Sequence, residues 1–276
     1  GKAGAARLLA SRFRAAPNHI PPPVPEPLMG PHVGIHRNLE PLYDFANQRL
    51  VKNLVREMPL RTSAMRTLGG FANVFAIESF IDELAEAAGA DPIEFRLRHL
   101  SDERGRAVVE RVGEWMARGA VPAGHGRGMG FARYKQTMAY VAVGIEVSVT
   151  EAAEVKLLRA FIAGDAGQAV DPDGLAAQLE GGLMQAASWT LYEQVTFDRD
   201  GIVSRDWETY PILRFDNVPE IETVLMDRPG YPFLGAGEAS SGPAGGAIAN
   251  AVRNAGGLRL RRLPFTPDNI RAAALA

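Results

Sequence analysis

The chain has no cysteine and only five histidines among its 276 residues. The absence of thiols excludes disulfides, thiolate nucleophiles, cysteine-ligated iron–sulfur clusters and cysteine-rich zinc sites. The histidines also lack the HExxH or His-x-His spacing of common metal sites. We therefore expect no metal held by the side chains of this chain, and any metal must arrive inside an organic cofactor.

Long hydrophobic runs and an excess of positive charge are also missing. No apolar run approaches the roughly 20 residues needed to span a bilayer. A net charge of −2 argues against a nucleic-acid or anionic-membrane surface. With 46% hydrophobic residues the chain can bury a sizeable core. The length allows one large domain or two small ones.

Proline and glycine divide the chain. The many prolines of residues 17–31 forbid a regular helix, so residues 1–40 are predicted to form an extended arm. Residues 41–276 are predicted to form a domain with a helical part, 41–120, and an α+β part, 124–276.

Hydrophobic periodicity and capping residues predict the individual elements. The predicted helices are 43–57, 73–88, one that starts at Pro92 after Asp91, one through Val108 to Met116, 172–191, and one that follows Gly242. The predicted strands are 139–150, 154–163, about 193–198, 202–206 and 221–227.

The stretch from Gly235 to Val252 is the most informative part of the sequence. Glu238 stands between two glycine-containing turns and the start of a small-residue helix. Glycine lets the backbone approach a ligand, and a helix N-terminus offers free N–H groups. A carboxylate there suits a general base, although a glutamate stabilised by the helix dipole is the structural alternative.

The predicted helix 172–191 has an unusual interior. Gly181 and Gly182 each cost about 1 kcal/mol relative to alanine in a helix, so close packing or a ligand must use the missing side chains. Gln178 and Gln185 lie seven residues apart, hence on one face, where amides can bind a heteroaromatic ring or a phosphate. Helix packing with solvated glutamines remains the alternative.

A second candidate lies around Arg66. This arginine precedes Gly69 and Gly70 and can present its guanidinium to a buried anion, although a solvated arginine in a surface loop is more common. The short cluster Arg133-Tyr134-Lys135 is interpreted as loop structure or the rim of a ligand site.

The ordered motifs resemble a known family. They are Leu60-Arg-Thr-Ser-Ala-Met-Arg66-x-x-Gly-Gly, Phe75-Ala-Ile-Glu-Ser-Phe, Asp91-Pro-Ile-Glu-Phe-Arg, Gly126-Arg-Gly-Met-Gly130, Asp165-x-Gly, Gln178-Leu-Glu-Gly-Gly182, Gly235-x-Gly-Glu238 and Ala247-Ile-Ala-Asn-Ala251. Together they resemble the molybdopterin-binding large subunit of the xanthine dehydrogenase/aldehyde oxidase family, in its nicotinate dehydrogenase and isoquinoline oxidoreductase branch. The resemblance implies an α+β fold, the second molybdopterin-binding domain, with a helical first half and a mixed sheet-plus-helix second half.

The resemblance also implies a function and residue roles. The chain would be part of a molybdenum hydroxylase that hydroxylates an N-heteroaromatic compound or an aldehyde with oxygen from water. Glu238 would be the catalytic base, Arg66 an active-site arginine and Leu68 a residue that packs on the substrate ring. The implied cofactor-binding residues are Gln178, Gly181, Gly182, Gly237, Gly69 and Gly70.

The implied cofactor is molybdopterin cytosine dinucleotide with molybdenum. The family's glycine-rich stretch with a Met-Gly-Gln-Gly core is not found, so the chain resembles the C-terminal portion and a complementary chain or segment must complete the cradle. Ala166 and Asp171 also stand where many relatives have Cys and Asn. The implied partners are an iron–sulfur subunit and a flavin or cytochrome subunit, in the cytoplasm or, as the alternative, the periplasm.

Two other hypotheses remain open at the level of sequence. A truncated, non-catalytic relative would fold and only bind a partner subunit. A stand-alone nucleotide-binding protein would use the loop at residues 235–246 and would bind ATP or NAD without molybdenum.

Overall fold

The computed structural model describes residues 34–53, 55, 59–60 and 64–275. Most of the predicted arm, residues 1–33, lies outside the described residues. The arm and the division of the remainder into two parts stay predictions.

In the described ranges, three α-helices precede the sheet. They are α1 (Gly70–Ala87), α2 (Pro92–Arg98) and α3 (Glu103–Met116). The Asp91 side chain accepts hydrogen bonds from the N–H groups of Ile93 and Glu94 and caps α2, which confirms the predicted start. The three helices match the predicted ones within a few residues, and α1 begins earlier, at Gly70.

The predicted helix 43–57 is wrong over its described residues, because residues 43–53 are not helical. Tyr43 is buried and donates its hydroxyl to Glu78 at 2.9 Å. The Asp44 N–H donates to His99, and the Asp44 carboxylate accepts the N–H of Ser101 at 2.6 Å. These tertiary bonds hold the segment against the α2–α3 connection and override its amphipathic spacing.

Among the residues that the structure describes, four strands form one mixed sheet in the order β1 (His125–Arg133), β2 (Tyr140–Val149), β3 (Val155–Asp165) and β4 (Glu220–Leu225). The first three strands are antiparallel, and β4 runs parallel to β3. The predicted strands 139–150, 154–163 and 221–227 are thus confirmed as β2, β3 and β4.

Three further helices complete the described part of the chain. They are α4 (Pro172–Leu191), as predicted, α5 (Ser241–Gly256), which begins just before Gly242, and α6 (Pro267–Ala274), which was not predicted. The predicted strands near 193–198 and 202–206 are wrong: one bridge, Phe197 to Ile202, remains of them. Both side chains are exposed, and a two-stranded hairpin with no covering layer is only marginally stable.

Helices cover both faces of the sheet. Alternate residues of β2, such as Val141 and Val143, pack with α4 and α5, while Ala142 packs with α1 to α3. Such a two-sided burial is usual for strands covered by helices on both faces. The predicted α+β fold class, with a helical first half and a mixed sheet-plus-helix second half, is confirmed.

Strand β1 carries a row of glycines that sets the position of α5. Gly126, Gly128 and Gly130 share one face of the strand, and a Cβ at each would overlap the backbone of α5. The helix therefore lies directly on the strand backbone. Asn250 and Asn254 of α5 then donate to the carbonyl oxygens of Met129 and Arg127 at 2.9 and 2.7 Å.

A buried ionic cluster joins α1 to α2. Arg96 is fully buried, and its guanidinium donates to Glu78 at 3.0 Å and to Asp82 at 2.6 Å. Glu78 also accepts the hydroxyl of Tyr43 and, at 3.0 Å, the N–H of Phe131 in β1. The cluster thus ties the helical layer to the sheet.

None of the helices in the described ranges is long and apolar enough to cross a membrane.

Candidate functional site

Three separate segments meet at Arg66. The turn at residues 65–69 precedes α1, the loop at residues 235–240 precedes α5, and the third segment is the first half of α4. The Arg66 Nε donates to the Gly237 carbonyl at 2.7 Å. Its Nη2 donates to the main-chain carbonyl of Gln178 at 3.0 Å, and its Nη1 lies 3.5 Å from the Gln185 amide oxygen. The predicted pairing of Gln178 and Gln185 on one helix face is thus found, and both reach the same guanidinium.

The turn that carries Arg66 is held in an unusual conformation. Thr67 and Leu68 both have positive φ, 74° and 50°, which non-glycine residues rarely adopt. A Cβ at Gly69 would lie 2.6 Å from the Gly34 carbonyl oxygen, so Gly69 allows the turn to pack on the segment at residues 34–38. Gly70 packs beside it, against Thr67. Leu68 is partly buried in this turn. The substrate role of Leu68 and the cofactor roles of Gly69 and Gly70 stay predictions.

Glu238 lies beside the Arg66 turn, in the turn that directly precedes α5. Its Oε1 accepts the N–H of Thr67 at 2.7 Å, and its Oε2 accepts the hydroxyl of Tyr134 at 2.6 Å. Arg37 Nη1 is 3.9 Å from Oε2. About a third of the Glu238 side chain, 34%, stays exposed, so the carboxylate is both anchored and accessible.

Burial of the Glu238 carboxyl acts to raise its pKa. The hydrogen bonds from Tyr134 and Thr67, with the positive charges of Arg37 and Lys135, outweigh burial and bring the pKa below its usual value. Burial and the bond to Glu238 raise the pKa of Tyr134 far above its usual value, so the tyrosine keeps its proton. Glu238 is therefore an ionised carboxylate near neutral pH.

The two interior glycines of α4 differ in their surroundings. Gly182 is buried against the start of α5, where a Cβ would overlap the Ser240 hydroxyl, which donates to Leu179 at 2.6 Å. Gly181 is exposed, and a Cβ there would approach nothing closer than Arg66 Nη1 at 3.9 Å. Helix packing thus explains Gly182, while the space at Gly181 is open to a ligand.

This difference predicts opposite effects for two neighbouring substitutions. Gly181→Ala should raise the free energy of unfolding by up to about 1 kcal/mol, because alanine favours the helix and meets no obstacle. Gly182→Ala should lower it by about 1–3 kcal/mol, because the new methyl group displaces the Ser240 contact. Urea unfolding of both variants measures the two changes, and a shift of the same sign in both would contradict this account.

The donor set around Arg66 fits an organic cofactor better than a bare ion. No group of three or more His, Cys, Asp or Glu residues within the described part of the chain could hold a metal. Gly181 and Gly237 instead leave an exposed surface without side chains, bordered by the amide of Gln178, which would lie 3.4 Å from a Cβ at Gly237. Amide and guanidinium groups beside bare backbone suit a flat polar ring or a phosphate.

Sequence reasoning missed Tyr134 and Arg37 as neighbours of Glu238. Tyr134 appeared only as part of a loop or ligand rim, and Arg37 fell in the predicted arm. The sequence separates these residues from Glu238 by more than a hundred positions, so no local spacing could join them. In the structure, Lys135 and Gln136, which directly follow Tyr134, both have positive φ. Such backbone strain often occurs at functional sites.

Comparisons with known proteins identify the family to which the chain belongs. The family model described as "Molybdopterin cofactor-binding domain" matches residues 56–219. The nicotinate dehydrogenase subunit from Pseudomonas putida is 39% identical over 253 residues, which are 84% of this chain and 21% of that protein. The isoquinoline 1-oxidoreductase β-subunit from Brevundimonas diminuta is 34% identical over 230 residues, 82% of this chain and 29% of that protein. The chain thus spans less than a third of the length of these curated relatives.

A solved structure shows the same fold. Quinoline 2-oxidoreductase from Pseudomonas putida 86 superposes with a TM-score of 0.64 at 14% sequence identity, covering 76% of this chain and 52% of that chain.

Proposed function

This chain belongs to the molybdopterin cofactor-binding domain family of the xanthine dehydrogenase/aldehyde oxidase enzymes, and on that premise we propose that Glu238 is the base of a molybdenum hydroxylase. The observation that carries the proposal is the position of its carboxylate. It is anchored at both oxygens, partly exposed, and bonded to the turn that carries Arg66, whose guanidinium donates to Gln178 of α4. A general base needs this combination of a fixed direction and access to the substrate.

The residues around Arg66 would hold the cofactor. Gln178 would bind the pterin through its amide, and Gly181 and Gly237 would leave room for it beside the backbone. Gly182, which was also expected to bind the cofactor, instead packs against Ser240. When bound, the cofactor supplies the metal centre at which oxygen from water is transferred and two electrons are taken up. We propose the cytosine dinucleotide form, held jointly with a complementary chain or segment.

The chain's own residues then divide the remaining work. Glu238 would accept a proton as the oxygen nucleophile forms, and the positive charge of Arg66 would stabilise negative charge that develops nearby. Arg66 also fixes the base, because its bonds to Gly237 and Gln178 join the base-carrying loop to α4. Leu68, in the same turn, would pack on the substrate ring.

The proposed substrate is an N-heteroaromatic compound, with an aldehyde as the alternative. Support comes from the nicotinate and isoquinoline enzymes to which the chain is similar. Electrons would pass to an iron–sulfur subunit and then to a flavin or cytochrome subunit. We propose the cytoplasm as the compartment, which cell fractionation would distinguish from the periplasm.

Cofactor analysis of the assembled protein tests the proposal. Purified together with its complementary segment, the protein should contain molybdenum and pterin in equimolar amount and release CMP on hydrolysis. It should also transfer oxygen from isotopically labelled water into nicotinate, isoquinoline or an aldehyde.

The other two hypotheses give different results in the same experiment. A stable complex without molybdenum or pterin would favour the non-catalytic relative that only binds a partner. Binding of ATP or NAD by the chain, without molybdenum, would favour the nucleotide-binding protein. Either result would overturn the hydroxylase proposal.

A further inference from the structure

The Tyr134 hydroxyl connects a buried arginine to the Glu238 carboxylate. Arg37 Nη1 donates to the Tyr134 oxygen at 2.6 Å, and the Tyr134 hydroxyl donates to Glu238 Oε2 at 2.6 Å. A donor that itself accepts a bond from a cation is polarised, so its own bond to a carboxylate is strengthened. The three side chains therefore form a short chain of hydrogen bonds that ends at the proposed base.

The protein fixes this tyrosine through the backbone on both sides. Asn38 donates to the Arg133 carbonyl at 2.7 Å and accepts the Lys135 N–H at 3.0 Å. The Tyr134 N–H donates to Ala139, whose own N–H donates to Gly235 in the loop that carries Glu238. The tyrosine and the carboxylate are thus held on one connected frame.

Charged and titratable groups approach Glu238 from each segment packed against it. Arg37 comes from the turn at residues 34–38, and Tyr134 and Lys135 follow β1. The turn before α1 contributes the Thr67 N–H directly, and it places Arg66 on the adjacent Gly237 carbonyl. Among these groups, only the Tyr134 hydroxyl is a neutral side-chain donor bonded to a carboxylate oxygen.

We propose that Tyr134, held by Arg37, is a positioning residue that keeps the Glu238 carboxylate ionised and oriented for proton transfer. The inference rests on the proposed role of Glu238 as the base. The bond from Tyr134 occupies one site on Oε2 and the bond from Thr67 occupies one on Oε1, so lone pairs of both oxygens remain free for the incoming proton. Loss of the hydroxyl would leave only the Thr67 N–H to orient the carboxyl and would favour its protonated form.

Tyr134→Phe in the assembled holoenzyme tests the inference. The phenyl ring keeps the packing and removes only the hydroxyl. Because the hydroxyl stabilises the ionised carboxylate, its loss should raise the Glu238 pKa by about one to two units, the size expected for one charge-assisted hydrogen bond. The midpoint on the acid side of the pH profile of kcat/KM should move to higher pH by the same amount. At pH values below both midpoints, kcat/KM should be about tenfold lower than in the wild type for each unit of that shift.

Tyr140→Phe is the matched control. It removes a hydroxyl that donates to Asp102 at 2.9 Å and leaves the bonds of Glu238 in place. The acid limb should therefore keep its wild-type position. An equal midpoint in the wild type and Tyr134→Phe, or a uniform loss of rate at every pH, would overturn the inference.

A measurement without turnover separates this inference from the proposed function. Isotope-edited infrared spectroscopy follows the carboxyl absorption as a function of pH. Subtraction of the Glu238→Gln spectra from those of the protein with Glu238 isolates the signal of the Glu238 carboxyl. If Tyr134→Phe leaves that titration unchanged, the inference fails whatever the activity. If the titration shifts while Glu238→Gln retains full turnover, the tyrosine effect stands and the proposed catalytic role fails.

Discussion

Replacement of Glu238 by glutamine is expected to lower kcat by about 10²–10⁴-fold, the range by which a positioned general base accelerates a reaction. Glutamine has nearly the same shape, and its amide oxygen can still accept the Thr67 N–H. Its NH₂ group can donate to the Tyr134 oxygen in place of the reverse bond. The variant therefore keeps the local structure and loses the proton acceptor. Steady-state kinetics on the assembled protein, normalised to molybdenum content, measures the loss.

Glu222→Gln is the matched control for this substitution. Glu222 lies in β4 and pairs with Arg118 at 2.9 Å on the exposed surface, so its neutralisation should leave kcat unchanged. Full activity of Glu238→Gln at normal cofactor content would show that another group accepts the proton. An equal loss of activity in both variants would point to a general effect of charge.

Removal of the buried guanidinium in Arg96→Met is expected to lower the free energy of unfolding by about 3–5 kcal/mol. The substitution leaves the carboxylates of Glu78 and Asp82 in the core without their cation. Burial already raises the pKa of Glu78, and loss of Arg96 should raise it further. A raised pKa in the folded state favours the protonated form, so the destabilisation should shrink as the pH falls and grow as it rises. Urea unfolding at several pH values measures both effects.

Arg111→Met serves as the comparison for Arg96→Met. Arg111 pairs with Glu114 at 2.6 Å on the exposed face of α3, where an ion pair contributes little. Its replacement should change the free energy of unfolding by no more than about 0.5 kcal/mol, with little dependence on pH. Similar losses in the two variants would mean that the buried cluster does not stabilise the layer contact.

The predicted elements succeeded where local signals and tertiary packing agree. Helix α4 was predicted with both ends because Asp171 and Pro172 mark its start and the hydrophobic period persists to Leu191. Strand β1 was not predicted, because glycine does not favour a strand in the sequence. Its glycines are explained only by the structure, in which α5 packs directly on them. The helix predicted at 43–57 is wrong over its described residues for the opposite reason, since its amphipathic spacing is real but Tyr43 is used in the buried cluster.

The candidate site shows a similar division. The structure brings together Arg66, Gln178, Gly237 and Glu238, which the sequence had singled out from three distant segments, while their roles stay predictions. Spacing along one helix could pair Gln178 with Gln185, but only the ordered resemblance to a family linked Gln178 to Glu238. Tyr134 could not be found in that way, because a tyrosine after a strand has no distinctive pattern. Its importance follows from a hydrogen bond that exists only in the folded chain.

The absence of side chains on the three β1 glycines that face α5 has a consequence for how the site can vary. Gly126, Gly128 and Gly130 bring the main chain of β1 against the main chain of α5. The distance between the strand and the helix is therefore fixed, and no change of side-chain rotamer can alter it. Glu238 lies in the turn just before α5, so the packing of α5 on β1 fixes its position. Neighbouring surface side chains could therefore diversify toward new substrates without displacing the carboxylate, whereas one added methyl group beneath the helix would move it.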